Sequence, residues 1–173
     1  MVDSIVTKTN NPVVFFPDWA YKLIRHPRAD GNLKAGYLCH VDADVIDGND
    51  QETIVGLFVI GKHESIPIDT VITENYRINA FPCIPGAIFY LPTKASRGTI
   101  TKDVTILIPS ADTDGTLEIY TESLLVASGA ATASAVDATR PTVSGNYLPP
   151  VKFLALEALT DTADVEWVKV MVF

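Results

Sequence analysis

The chain is poor in the residue types on which many functions depend. Its 173 residues include only two cysteines, Cys39 and Cys83. A disulfide framework in so long a chain needs more, so both are read as free thiols in apolar surroundings beside Leu38 and Ile84. Histidine is equally scarce. His26, His40 and His63 are the three, and none stands at HxH, HxxxH or HExxH spacing. Positive charge is short too, with 13 Lys and Arg against 21 Asp and Glu, a formal net charge of −8. A phosphate backbone needs a basic footprint, as does an anionic bilayer surface, so neither nucleic acid nor membrane is an expected partner. No apolar run approaches the roughly 20 residues that span a bilayer. The residues from Met1 to Ser4 lack the basic and apolar stretches of a secretory signal. The expectation is a chain made in a cytoplasm and soluble until it meets its partner.

Catalytic signatures are also missing. The sequence has no GxSxG elbow, no Walker A loop and no GxGxxG. Cys39 and His40 are neighbours on an expected strand and so point to opposite faces. Lys62, His63, Glu64 and Ser65 mix reactive types, but they follow Gly61 and precede Pro67, as at a solvated hairpin tip. No catalytic residue and no cofactor is assigned, and the chain is read as a non-enzyme. The run from Asp42 to Glu52 is oxygen-rich, and Asp42, Asp44 and Asp47 are weak candidates for Ca²⁺. Counted from Asp42, however, an EF-hand would need a ligand where Ile46 stands and glutamate where Thr53 stands. The preferred reading is a turn without metal, since Asp, Asn and Gly are ordinary turn residues. Tyr76, Tyr90, Tyr120 and Tyr147 could form a sugar platform, with packing in a sheet as the default.

What the chain has is β-branched side chains: Val, Ile and Thr supply 50 residues. These suit pleated strands and are poor in helices. Eleven prolines and ten glycines cut the chain into short pieces, and 47% hydrophobic residues allow a substantial core. The expected fold is mainly β, an antiparallel β-barrel or β-sandwich, with at most one short helix. Residues 1–32 read as an N-terminal arm or extension. Within it Asp18 caps a short helix whose apolar side holds Trp19, Leu23 and Ile24, and Pro27 ends it. Residues 33–173 read as the β domain.

Several strands follow from period-two patterning. Leu33, Ala35, Tyr37, Cys39 and Val41 alternate with polar or small residues, and Asp47 to Asp50 make a turn. Thr53 to Ile60 is apolar on both faces, as in a strand covered on both sides. Ile66 to Thr73 and Tyr76 to Ala80 read as a hairpin. Ala87 to Leu91 is a strand after Pro85-Gly86. Thr101 to Ile108 places Val104, Ile106 and Ile108 on one face. Asp112 to Gly115 is a turn and Thr116 to Glu122 a strand. The Ala-, Ser-, Thr- and Gly-rich residues 126–145 read as a loop. Val151 to Ala158 and Val165 to Phe173 form a closing hairpin with Val168, Val170 and Val172 on one face.

The order of these segments resembles that of small β-barrel decoration, or cement, proteins of tailed-bacteriophage capsids. The resemblance runs from residue 33 to residue 173. It is carried by Lys34-Ala35-Gly36-Tyr37-Leu38, Ile54-Val55-Gly56-Leu57-Phe58-Val59 and Pro85-Gly86-Ala87-Ile88-Phe89-Tyr90-Leu91. The final hairpin, Pro150 to Ala158 and Val165 to Val172, completes it. The residues before Leu33 and the insertion from Ile66 to Thr73 depart from that pattern. The resemblance implies a structural virion protein on the capsid exterior, bound to the major capsid protein and to copies of itself as a homotrimer. Phe15, Phe16, Trp19 and Tyr21 are then the expected partner-binding anchors, with packing over the body as the other reading. Two alternatives stand beside it: another virion part, such as a tail-tube or head–tail joining subunit, and a β-sandwich glycan-binding module.

Overall fold

The computed structural model describes residues 11–29, 33–42, 45–47, 58–68, 70–73, 75–93, 98–109, 117–120, 142–143, 146–147, 151–160 and 163–173. Short β-branched segments between prolines and glycines become short strands. In chain order they are β1 (Val13–Phe15), β2 (Arg28–Ala29), β3 (Leu33–Lys34), β4 (Leu38–Asp42), β5 (Val45–Asp47), β6 (Phe58–Ile60), β7 (Val71–Ile72) and β8 (Ala80–Pro82). There follow β9 (Ile88–Thr93), β10 (Ile106–Pro109), β11 (Leu117–Tyr120), β12 (Thr142–Val143), β13 (Asn146–Tyr147), β14 (Phe153–Ala155) and β15 (Glu166–Val172). Among the described residues the one helix is a 3₁₀ segment, Asp18–Leu23.

One sheet has six strands in the order β1-β9-β11-β10-β14-β15, and β9 also lies along β15. Its neighbours run antiparallel except at the join of β9 to β11, a single parallel pairing of Thr93 with Leu117. The strand order returns on itself through the antiparallel pairing of β15 with β9. A second sheet has the order β2-β5-β4-β6-β8, antiparallel apart from β2 beside β5. The pairs β3-β7 and β12-β13 stand outside both sheets. The mainly β, antiparallel architecture is the expected one. Of the two expected forms, the arrangement is compatible with a sandwich.

The core lies in two parts, one on each side of the second sheet. Leu38 and Val59 face a cluster containing Phe89, Leu91, Leu107, Phe153, Val168 and Val170 from the six-stranded sheet. Cys39, Phe58, Ile60 and Ala80 face the opposite way, onto Ala29, Ile72 and Ile78. This is why Phe58–Ile60 is buried at every position, as an apolar run without alternation predicts. Each fully buried Phe, Leu or Val of the larger cluster contributes roughly 1.5–3 kcal/mol from apolar burial. The closing hairpin is present, with Phe153 opposite Val172 and Ala155 opposite Val170. Val168, Val170 and Val172 are its buried face.

Three expectations are corrected. The run from Leu33 to Val41 is not one strand: it breaks at Gly36, which sits at φ +86°. There the Gly36 N–H donates to the Ile60 carbonyl at 2.7 Å, and Trp167 lies where a side chain would be. The hairpin of Ile66–Thr73 with Tyr76–Ala80 does not form either, because each part has a distant partner. β7 pairs with β3, and β8 with β6. In the third case the strand begins at Ile106 and not at Thr101, so Val104 lies in the turn before it and is exposed, while Thr105 and Leu107 are buried. Thr105 can be buried because its hydroxyl oxygen accepts the Thr101 N–H at 2.8 Å, which satisfies a polar group that would otherwise cost stability.

Residues 11–29, within the expected arm, are laid onto the body. β1 pairs with β9, and the Tyr90 N–H donates to the Pro12 carbonyl at 2.8 Å. Residues 25–29 run antiparallel to residues 75–80, with Arg25 opposite Ala80 and Arg28 opposite Arg77. Residues 1–10, the turns expected at 48–50 and 112–115, the strand residues 53–57 and most of the small-residue stretch 126–145 lie outside the described residues.

Candidate docking surface

The 3₁₀ segment is built from its backbone inward. Pro17 precedes it in extended conformation (φ −60°, ψ 133°) and no side chain caps it. The Ala20 N–H donates to the Pro17 carbonyl at 2.9 Å, and the Ile24 N–H to the Tyr21 carbonyl at 3.2 Å. Asp18 is therefore the first helical residue and not the expected cap. The expected apolar side holds only in part: Ile24 is half-buried against the larger cluster, whereas Trp19 and Leu23 are exposed and Ala20 is the fully buried residue. A 3₁₀ turn has three residues and sits close to its support, which suits a small inward side chain.

The four expected aromatic anchors divide. Phe16 is 4% exposed and belongs to the larger core cluster. Its ring meets Phe81 and Tyr21 edge-to-face, with centroids 5.3 and 5.7 Å apart. Phe15, Trp19 and Tyr21 are 52%, 64% and 55% exposed. Phe16 and Ala20 thus fasten the segment from beneath, and Phe15, Trp19 and Tyr21 are displayed from it. Val14 and Leu23 are exposed as well, so among the described residues five exposed large apolar side chains come from residues 14–23.

The other candidates do not converge. His26 Nδ1 lies 2.8 Å from Asn79 Oδ1. His63 Nδ1 accepts the Ser65 N–H at 3.2 Å, and its ring meets Tyr76 edge-to-face. His40 pairs with Asp47 across β4 and β5. Asp47 is thus the last residue of a strand, and Asp42 stands opposite Val45 in the same ladder. Asp44 lies outside the described residues. Among the described residues no three His, Cys, Asp or Glu side chains come together as a metal site would require. Cys39 is buried and Cys83 half-buried, both as free thiols. Burial pushes both thiols well above their usual range, the opposite of an activated thiolate.

Of the tyrosines considered as a sugar platform, Tyr90 donates its hydroxyl to Glu157 Oε1 at 2.8 Å. Burial, then that hydrogen bond and the carboxylate charge, push its pKa up to about 12. Tyr90 belongs to β9 of the six-stranded sheet, whereas Tyr76 backs onto Ala29 of the second. They form no shared row.

One cluster escaped the sequence reading. Lys22, Arg25, His26 and Arg28 are all exposed, as is Arg77, which the pairing of residues 25–29 with 75–80 brings beside them. Four basic or imidazole side chains within seven residues, with no acid among them, was a legible signal in an acidic chain. Arg77 carried none, since only the tertiary pairing places it there. No helix among the described residues is long and apolar enough to cross a membrane. Comparison with models of known protein families finds no match, and comparison with curated proteins finds none either.

Proposed function

We propose that the chain is a non-enzymatic virion protein that decorates the exterior of a tailed-phage capsid. It bridges neighbouring copies of the major capsid protein and works as a homotrimer. The observation that carries this reading is the display of Phe15, Trp19 and Tyr21 on a segment fastened by Phe16 and Ala20. The sequence resemblance over residues 33–173 supports the capsid as the setting. Aromatic side chains of this kind dominate the energetics of protein interfaces. Holding them on a sheet scaffold lowers the ordering cost of binding. Modest contacts per copy then sum by effective concentration when several copies are linked.

The test is co-sedimentation of the purified protein with expanded phage heads, compared with Trp19→Ala. Trp19 is exposed, so the substitution is expected to leave the thermal melt within about 0.5 kcal/mol of the parent while weakening head binding at least tenfold. Equal losses in melt and binding would make Trp19 a stability residue. An absence of affinity for any head would remove the capsid reading itself.

A further inference from the structure

We propose that Arg28 and Arg77, set opposite each other with His26 on the same face, form the centre of a cationic strip that receives a carboxylate-rich protein surface. The inference rests on the docking role above and names the chemistry of the surface docked on.

The strip is set by backbone pairing. Arg28 stands directly opposite Arg77, and His26, two residues from Arg28, lies on the same face, whereas Arg25, opposite the buried Ala80, starts on the other face and is exposed at the end of the pairing. The Ile78 N–H donates to the Pro27 carbonyl at 3.1 Å, and the Ala29 N–H to the Tyr76 carbonyl at 2.8 Å. Arg77 Nη1 donates to the His26 carbonyl at 2.8 Å, which holds one guanidinium on the strip. Among the described residues no carboxylate lies within ion-pair distance of Lys22, Arg25, Arg28 or Arg77. Two like charges directly opposite on paired segments destabilise the pairing. Arg28 and Arg77 therefore carry an unfavourable term that an anion between them would reverse. Guanidinium groups suit this, because their planar fork matches a carboxylate in two-point contact.

Three features select a protein carboxylate over other anions. First, the chain as a whole carries −8, a field that repels a polyanionic nucleic-acid backbone more than it repels a single side-chain carboxylate. Second, Trp19 and Lys22 are three residues apart on a 3₁₀ turn, where such positions eclipse. A cation thus stands beside the displayed Trp19, and Trp, Tyr and Arg together are the composition of protein–protein hot spots. Third, a two-fold contact between copies through the strip would set arginine against arginine, so that mode of self-pairing is disfavoured.

The experiment uses the full chain with labelled poly-L-glutamate as the probe, read by fluorescence anisotropy. Binding is expected at about 0.1 M salt and lost at about 1 M, where the screening length falls from about 10 Å to about 3 Å. Arg28→Gln with Arg77→Gln should weaken it about tenfold, the sum of two exposed charge contacts. Arg28→Glu should abolish it while raising Tm, because the new carboxylate faces Arg77; the raised Tm separates lost binding from lost folding. Absence of poly-L-glutamate binding, or equal binding by the double variant, overturns the strip. So does tighter binding of a single-stranded DNA of equal charge through the same arginines. Self-association in sedimentation velocity that disappears in Arg28→Glu would give the strip to a second copy and overturn the assignment. Heads that bind a protein indifferent to poly-L-glutamate sink the strip alone. Poly-L-glutamate binding without head affinity sinks the capsid reading and leaves the carboxylate chemistry standing.

Discussion

Replacing Gly36 by alanine tests the junction between the two sheets. Gly36 holds φ +86°, a left-handed conformation that costs an L-residue about 1–2 kcal/mol. A Cβ there would also overlap Cζ3 and Cη2 of Trp167 on β15. The backbone cannot easily retreat, because the Gly36 N–H is bonded to the Ile60 carbonyl and the Ile60 N–H to the Tyr37 carbonyl. The indole would have to give, and it is packed edge-to-face on Tyr37 at 6.0 Å. Overpacking of this kind costs about 1–3 kcal/mol, so the substitution should cost about 2–5 kcal/mol in total. Against a typical stability of about 5–15 kcal/mol that is a large fraction. For a chain of this size it corresponds to a fall in Tm of roughly 4–20 °C. Gly86 supplies the control. It ends the Pro85-Gly86 turn at φ +87°, but a Cβ there meets nothing within 4 Å. Gly86→Ala should therefore cost only the backbone part, about 1–2 kcal/mol. Adding Trp167→Leu to Gly36→Ala should recover stability, with a coupling of about 0.5–3 kcal/mol in a double-mutant cycle read by thermal or urea melts. Equal destabilisation by the two glycine variants, or a cycle with no coupling, would refute the packing of Trp167 over Gly36.

Three further outcomes follow from the packing and the titrating groups. Leu107→Ala empties a fully buried site and should cost about 2–5 kcal/mol, whereas Val104→Ala at an exposed one should stay within about 0.5 kcal/mol in urea melts. Tyr90 should titrate near 12, where its absorbance change at high pH reports it. Because the folded pKa is raised, its stabilising contribution is complete below about pH 10, the unfolded value, and fades as pH rises toward 12; Tyr90→Phe should remove that part of the pH dependence. Cys39, whose thiol burial pushes upward, should be silent toward an aromatic disulfide reagent at pH 8 until denaturant is added. Rapid reaction in the folded state would place it outside the core.

The parts of the fold that the sequence revealed are those governed by neighbours along the chain. The alternation of Val168, Val170 and Val172 announced the closing strand because its inward face is solely apolar. Phe58 to Ile60 announced a strand covered on both sides because no position in it is polar. Most failures came where distant segments decide. Gly36 broke an apparently continuous strand because Trp167, far along the chain, takes the space above it. Val104 fell outside its expected strand because the chain turns from Thr101 to Thr105, where the Thr105 N–H donates to the Thr101 carbonyl at 3.0 Å, and the strand begins only at Ile106. The assignment of residues 25–29 required a partner at 75–80, and no local periodicity encodes that. The candidate site was half legible. The aromatics from Phe15 to Tyr21 stood out, but Phe16 being inside and Trp19 outside depended on a three-residue turn with alanine as its inward side chain.

The apolar covering on both sides of β6 bears on how its alignment is enforced. In a sheet with one wet face, a slip by one residue is punished by hydration, since every inward side chain would emerge into water. For Phe58, Val59 and Ile60 both faces are dry, so water cannot tell the correct alignment from the shifted one. Shape has to do so. Gly61 abuts Phe81 and the Asn79 carbonyl with no room for a Cβ, and a strand displaced by one position would drive Ile60 into that gap. The smallest residue of the segment thus acts as the stop that fixes where its three largest neighbours come to rest.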